Sequence, residues 1–330
     1  PLHIAASWDN EELIQILLNN EAKIDLIDKK GYTALHKSVF FNNLKAIGML
    51  LEKDADTNIK NESGDTPLMT AVKRNDITIS GWLLQHGADP NIINNNGDIP
   101  LIVAIKGENS LEFVKLLLDN RADPNLQGWR RSLPLDEAVI KMDYDLIELL
   151  LEKGANPNPN LQTSNIENTP LINAILASTG QDGEYSVEKL NNQLDIIELL
   201  LDSGAEQVSS NTISGLTPLM HVVLNDDILH DHKKKIIELL FYKDSRIDKV
   251  DNYGETVFMM LASEMMLVSD YFDLKNKKEL IKILLEKGTN INHKNSDGNT
   301  VFMKLIARFR FPLYFYRTNI IDFLNFLCEQ

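Results

Sequence analysis

A short phrase recurs nine times along this chain of 330 residues, and the repetition limits the folds open to it. The clearest copies are Thr66-Pro67-Leu68-Met69 and Thr217-Pro218-Leu219-Met220. The intervals that join Thr33, Thr66, Ile99 and Leu133 are 33, 33 and 34 residues. A fixed period of this size predicts a stack of small units, each in contact only with its neighbours. Such a stack offers a long surface for binding and no deep pocket.

Residues 66–98 show how one unit is expected to fold. Thr66 can cap a helix whose first position is Pro67, where the missing N–H costs nothing. A break at Asn75-Asp76 precedes a second amphipathic run, which ends at a left-handed Gly87. Turn-forming residues then project as a finger before the next copy. Two short helices and a finger cannot bury their apolar faces alone, so the units must stack.

This pattern resembles the ankyrin repeat, and the resemblance covers essentially the whole chain. It rests on a segment that recurs in register at the end of the second helix. The matching segments are Leu149-Leu150-Leu151-Glu152-Lys153-Gly154-Ala155-Asn156-Pro157-Asn158, Leu84-Gln85-His86-Gly87-Ala88-Asp89-Pro90-Asn91, Leu200-Leu201-Asp202-Ser203-Gly204-Ala205 and Leu284-Leu285-Glu286-Lys287-Gly288. The resemblance implies an all-α fold, an ankyrin-repeat solenoid of stacked helix pairs with protruding β-turn or hairpin fingers.

Two positions depart from the pattern of that family. The histidine near the start of the first helix survives only at His3 and His36. Methionine replaces it in four copies, and we expect these side chains to fill the core. A non-glycine residue replaces the glycine that ends the second helix in four repeats, at about 1 kcal/mol each, so we expect uneven local stability. The methionines are Met69, Met220, Met259 and Met303, and the non-glycine residues are Glu21, Asp54, Arg121 and Asp244.

The repeats change character after residue 158. Residues 1–158 are near-regular ankyrin repeats, whereas 159–330 are irregular repeats with insertions and a C-terminal capping repeat. The later intervals are 36, 48, 39 and 44 residues. Functional insertions and neutral drift in loops explain the extra length equally well. We expect it between the two helices of a repeat (about 178–193, 225–235, 267–278 and 309–318) or in fingers (159–168 and 206–216). No flexible linker separates the halves, which predicts one continuous solenoid.

Composition disfavours several classes of function. The net charge of −15, from 33 basic and 48 acidic residues, disfavours nucleic acid and anionic membranes as partners. The sequence contains no run of 18 apolar residues, so it does not predict insertion into a membrane. The single Cys328 fits a reducing compartment, so we expect a cytoplasmic protein, or the host cytosol for a delivered effector. The sequence shows no signal-peptide pattern. It begins without methionine and inside a repeat phrase, so we expect a portion of a larger protein or a trimmed chain.

No sequence motif indicates catalysis. His230-Asp231-His232 is the best metal-like cluster, but its spacing is unusual for zinc, and a solvated polar loop between helices is the favoured interpretation. Cys328 lacks the context of a nucleophile. No phosphate-binding glycine loop or hydrolase motif occurs. We therefore predict no catalytic, cofactor-binding or metal-binding residue, and no enzyme.

Aromatic and basic residues align at positions that bind partners in ankyrin arrays. The resemblance places such partners on the concave face, which the first helices and the finger tips form. Clustered exposed aromatic and arginine side chains often supply interface energy, so they predict a protein partner with an acidic, partly apolar segment. The alternative is that Trp8 and Phe40 pack on a neighbouring repeat or cap, and that Trp129 lies over the next finger. The predicted partner-binding residues are Trp8, Lys30, Tyr32, Phe40, Phe41, Arg74, Lys106, Trp129, Arg130 and Lys141.

The stretch 309–316 is rich in Phe and Tyr. It is expected to close the stack under a last helix at 320–327, because end repeats are atypical. The alternative is a docking or dimerisation patch, whereas we expect a monomer.

These features favour a non-enzymatic interaction module, a scaffold or an adaptor. The alternative is the substrate-targeting arm of an enzyme whose catalytic domain lies outside this chain. Nucleic-acid or anionic-lipid binding through the Lys/Arg stripe ranks below both on charge. The irregular repeat lengths resemble ankyrin arrays of intracellular bacteria, protists or large viruses, which suggests a host-directed effector.

Overall fold

A computed structural model describes most of the chain, and its contacts divide the residues into two compact units. Unit 1 comprises Pro1–Asn156 and unit 2 comprises Pro157–Gln330. The boundary after residue 158 and the single continuous solenoid remain predictions from the sequence. The described residues are 1–108, 110–129, 132–159, 168–177, 186–207, 215–243, 247–265, 271–308, 321 and 323–327.

Unit 1 consists of five helix pairs. Each first helix contacts its own second helix and the first helix of the neighbouring pair, which confirms the predicted stack. The first helices are α1 (Leu2–Ser7), α3 (Ala34–Phe41), α5 (Pro67–Lys73), α7 (Pro100–Lys106) and α9 (Pro134–Ile140), and the second helices are α2 (Glu11–Asn19), α4 (Leu44–Leu51), α6 (Ile77–Gln85), α8 (Ser110–Asp119) and α10 (Tyr144–Glu152).

Local sequence determines where these helices begin. The side chain of Thr66 accepts the N–H of Met69, and Pro67 occupies the first helical position. Asp76 caps α6 in the same way, and its own N–H bonds to the carbonyl of Ala71 at 3.0 Å. The turn between the two helices is therefore short and fixed in geometry.

The predicted left-handed residues adopt that conformation. Glu21, Asp54 and Arg121 have φ values of 58°, 56° and 70°, where Gly87 has 86° in the regular pattern. Asp244 lies outside the described residues. The strain predicted for the non-glycine residues is thus present in three repeats.

Methionine fills the core at three of the four predicted positions. Met69, Met220 and Met259 are buried, but the prediction is wrong for Met303, which is 52% exposed. His36 at this position points toward the following finger, where its Nε2 donates to the carbonyl of Asp65 at 3.0 Å. The described residues include no finger after Met303.

In three repeats of unit 1, an asparagine a few residues beyond the second helix joins one repeat to the next. Asn91 donates from Nδ2 to the carbonyl of Arg121 (2.9 Å) and accepts the N–H of Asp123 at Oδ1 (2.7 Å). Asn58 and Asn125 repeat both contacts one repeat earlier and later. These bonds hold the register that brings equivalent side chains onto one face.

Unit 2 is also built from helix pairs. Consecutive first helices contact each other, and the second helices are longer than those of unit 1. The described part of the chain contains no β-strand, only an isolated bridge between Val250 and Thr256. The first helices are α11 (Pro170–Leu176), α13 (Pro218–Leu224), α15 (Val257–Met265) and α17 (Val301–Arg308), and the second helices are α12 (Val187–Asp202), α14 (His230–Lys243) and α16 (Tyr271–Glu286).

Part of the inserted length in unit 2 is helical, so the expected placement between the two helices is wrong for 187–193, 230–235 and 271–278, whereas 225–229 does lie between helices and most of the other expected insertions fall outside the described residues. Residues 187–193, 230–235 and 271–278 extend α12, α14 and α16 toward their N-termini. The position that carries Asn or Asp in each repeat of unit 1 carries Gln193, Lys233 and Lys277 here, and all three are buried. Because these side chains are long, Gln193 and Lys233 reach the last carbonyls of the preceding first helix while the second helix continues past them.

The predicted C-terminal closure falls mainly on residues 309–320, which lie outside the described part. Of the last helix, Phe323 is fully buried and stacks on Phe326 with 6.3 Å between ring centroids. Within the described residues, each helix is too short or too polar to cross a membrane.

Candidate partner-binding surface

Apolar side chains cluster where the C-terminal ends of α1 and α3 lie side by side. Trp8 is 74% exposed, and Phe40 and Phe41 are 48% and 51% exposed. The two phenylalanine rings meet edge to face, with centroids 5.1 Å apart, and the guanidinium of Arg74 lies 5.9 Å from the Phe40 ring. Ile4 is exposed one helical turn before Trp8. We call Ile4, Trp8, Phe40, Phe41 and Arg74 the aromatic patch.

Ile4 was missed in the sequence prediction. Its equivalents in the next four repeats are Lys37, Thr70, Val103 and Glu137, so it alone in this series of unit 1 combines an apolar side chain with high exposure. The signal was its spacing of four residues from Trp8, which places both on one helical face.

Ion pairs neutralise one of the predicted basic residues, Lys106, and its equivalent in the preceding repeat, Lys73. The ammonium of Lys73 lies 2.8 Å from Asp65 and 3.8 Å from Asp98, and that of Lys106 lies 2.8 Å from Glu137. The side chain of Asn94 donates to both Asp65 and Asp98. Lys106 therefore offers a partner much less charge than the sequence suggested.

Lys141 has a structural role at the end of a neighbouring helix. Its ammonium donates to the carbonyl of Ile105 (3.0 Å) and the hydroxyl of Ser110 (2.9 Å), which satisfies the C-terminal end of α7. A partner could use this ammonium only in competition with those bonds.

Tyr32 and Lys30 belong to the first finger. Tyr32 is half-buried, packs edge-on against His36 at 5.8 Å, and lies under the ammonium of Lys37 at 4.3 Å. Lys37 is paired with Asp28 at 2.9 Å. Burial opposes ionisation of Asp28, but hydrogen bonds from Lys37 and from two backbone N–H groups lower its pKa to about 2. Lys30 is exposed, and no ion pair engages it in the part of the chain that the structure describes.

Trp129 lies against the preceding finger. A Cβ atom added to Gly97 would meet the Cα of Trp129 at 3.2 Å and its ring at 3.3 Å. The side chain is nevertheless 61% exposed, so its outer face remains available. Arg130 lies outside the described residues.

The structure thus separates the predicted binding residues into two groups. Trp8, Phe40 and Phe41 are exposed apolar side chains on the adjacent helices α1 and α3, with Arg74 beside Phe40, whereas Lys106 and Lys141 hold structural partners. Arg74 forms no ion pair with any described carboxylate, so its charge is free to meet an anionic group of a partner.

The histidine cluster at 230–232 lies on α14, and the expected solvated loop is wrong. His230 bonds to Glu279 at 2.9 Å, while the buried His232 bonds to Gln193 at 2.8 Å. Their nitrogens therefore engage different partners. Over the described residues, His, Cys, Asp and Glu side chains form no group of three suited to a metal ion.

Stability should fall below about pH 6.5, because buried histidines are held neutral. Burial lowers the pKa of His36, His221 and His232. His36 also accepts the N–H of Thr33 at Nδ1, a bond that protonation removes. A histidine with a lowered pKa stabilises the fold above its unfolded pKa and loses that contribution as the pH falls through its folded pKa.

We therefore expect the urea midpoint to be lower at about pH 5.5 than at about pH 7.5. Hydrogen bonds from Lys234 and His230 lower the pKa of Glu279 to about 2, so this carboxylate stays ionised across the window and cannot produce the change. A His232→Gln variant should show a smaller difference between the two midpoints. An equal difference would exclude His232 as a contributor.

Comparison with known proteins identifies related sequences for most of the chain. The family model for ankyrin repeats matches three segments, residues 1–61, 54–128 and 185–295. A fowlpox virus (strain NVSL) protein described as an ankyrin repeat protein is 30% identical over 149 residues, which cover 44% of this chain and 22% of the viral protein. The matched region thus spans about a fifth of the length of that relative.

Proposed function

Because the chain belongs to the ankyrin repeat family, whose repeats act as protein-interaction modules, we propose that unit 1 binds another protein through the aromatic patch. The observation that carries the proposal is the cluster of three aromatic side chains, each about half exposed or more, on adjacent helices. Apolar side chains clustered on an exposed face usually mark an interface.

The energetics favour the aromatic rings as anchors. Burial of apolar surface stabilises a complex by about 25 cal/mol per Å², and aromatic side chains bring the largest areas. Phe40 and Phe41 already hold each other edge to face, so little side-chain freedom remains to be lost on binding. The guanidinium of Arg74 at the rim adds a charged hydrogen-bond donor for a partner carboxylate.

The role that fits this surface is that of a scaffold or adaptor. The family is typically non-catalytic, and we propose that this chain acts by binding as well. The similarity to a fowlpox virus protein supports a host-directed effector that works in the cytosol of a host cell.

Substitution of the patch should strongly reduce capture of partners. We expect Trp8→Ala with Phe41→Ala to weaken the complex by about 2–4 kcal/mol, since central aromatic anchors dominate interface energies. The measurement is quantitative capture of host-cell proteins by the immobilised chain, followed by titration of the strongest candidate.

Tyr242→Ala is the matched control, because Tyr242 is an aromatic residue that is 81% exposed but lies on α14, outside the patch. Both variants remove exposed side chains, so circular dichroism should show unchanged helix content. Equal capture by the patch variant and the control would exclude the aromatic patch as the binding surface.

A further inference from the structure

A second exposed apolar side chain lies on the same face as the aromatic patch, three repeats away from Phe40. Equivalent positions at the C-terminal ends of α1, α3, α5, α7 and α9 carry Ser7, Phe40, Lys73, Lys106 and Ile140. Ile140 is 68% exposed, more than Phe40. This row of equivalent positions therefore has apolar side chains at Phe40 and Ile140.

The two positions between these ends are polar and electrically balanced. Lys73 is paired with Asp65 and Asp98, and Lys106 is paired with Glu137. An isolated partner charge would gain little there, because each lysine already faces a carboxylate. An ammonium has three donors, however, so each paired lysine can still donate to a neutral acceptor such as a backbone carbonyl.

The separation of the two apolar ends sets the length of what can bridge them. Adjacent packed helices lie about 10 Å apart, so Phe40 and Ile140 are separated by about 30 Å. An extended chain covers that span in about nine residues, at about 3.3 Å per residue. A helix would need about 20 residues and would bring no free backbone carbonyls to the paired lysines.

We propose that the partner binds as an extended segment with two apolar anchor side chains about nine residues apart, one on the aromatic patch and one on Ile140. A carboxylate next to the first anchor meets Arg74, the one cation of the patch, which no described carboxylate neutralises. The partner residues between the two anchors are polar and uncharged, because they face Lys73 and Lys106, which are already ion-paired. This inference rests on the function proposed above.

The experiment uses a displayed library of random 16-residue peptides, selected on the full chain. We expect enriched peptides to share two apolar positions eight to ten residues apart, with Asp or Glu beside one of them. For an enriched peptide, Ile140→Ser in the chain should weaken binding at least tenfold. Shortening the peptide by three residues between its anchors should have the same effect, whereas Tyr242→Ser should have none.

A double-mutant cycle tests the contact between the peptide carboxylate and Arg74. Replacing the peptide Glu by Gln should weaken binding to the wild-type chain about fivefold and have little effect on an Arg74→Gln variant. Peptides that need Phe41 but tolerate Ile140→Ser and altered spacing would overturn the two-anchor segment and leave the proposed function intact. Selection of peptides that bind a Phe41→Ser variant equally well would instead count against the aromatic patch itself.

Discussion

Replacing Gly64 by alanine is expected to destabilise unit 1 by about 3 kcal/mol, because alanine there adds steric overlap to backbone strain. Gly64 lies in the turn of the second finger with φ of +76°, where a Cβ atom costs about 1 kcal/mol by itself. The added Cβ would lie 2.5 Å from the backbone nitrogen of Asn95 and 2.6 Å from its side-chain oxygen. Asn95 cannot move away without loss of its N–H bond to the carbonyl of Ser63, at 3.0 Å.

Gly87→Ala is the matched control for the strain alone. Gly87 has φ of +86°, but no atom lies within 4 Å of the position of its Cβ. Its replacement should therefore cost only about 1 kcal/mol. Urea unfolding gives both values, and hydrogen exchange of the Asn95 amide reports the local effect. Equal losses of stability in the two variants would show that consecutive fingers are not in close contact.

The helix pairs could be predicted from sequence because their signals are local. Thr66, Pro67 and Asp76 act within a few residues of themselves, through caps and a fixed φ angle. The left-handed conformation of Arg121 likewise follows from its position in the repeat. Periodicity then places each such residue in the next repeat without any knowledge of long-range contacts.

The charge of the candidate site could not be predicted in this way. Glu137, the partner of Lys106, comes from the next repeat, 31 residues further along the chain, and only the register of the stack brings the two together. Lys141 is committed to α7 for the same reason. The aromatic residues of the patch, by contrast, can be predicted from their equivalent positions in the repeats alone. The apolar half of the candidate site was therefore predictable.

The long second helices of unit 2 carried a signal that was overlooked. Asn or Asp at the capping position favours a helix start, and Gln193, Lys233 and Lys277 stand there in the irregular repeats. None of these three is a capping residue, which indicates that the helix begins earlier. The length of the extension depends on the segments before it, which repeat periodicity does not describe.

Gln193→Leu is expected to destabilise unit 2 by about 3 kcal/mol. Gln193 is 1% exposed, and its amide nitrogen donates to the carbonyls of Ala174 (2.8 Å) and Ile175 (3.1 Å) at the end of α11. Carbonyl oxygens can only accept hydrogen bonds, so the NH2 group of Gln193 must face them. The amide oxygen of Gln193 then faces His232 and accepts from its Nε2 at 2.8 Å. Leucine fills a similar volume but leaves the histidine N–H and the carbonyls without these partners, at about 1–3 kcal/mol for each buried group.

A double-mutant cycle with His232→Leu separates the histidine contact from the carbonyl contacts. The double variant should be less destabilised than the sum of the single variants, by about 1 kcal/mol or more, because it no longer buries an unpaired imidazole N–H. Gln15→Leu on α2 is the control, since Gln15 is exposed and should tolerate the change within about 0.5 kcal/mol. Urea unfolding supplies the energies, and amide exchange across residues 187–193 shows whether the extension of α12 depends on this side chain. Additive losses in the cycle would mean that His232 finds another acceptor, and that the carbonyls of α11 alone fix Gln193 in place.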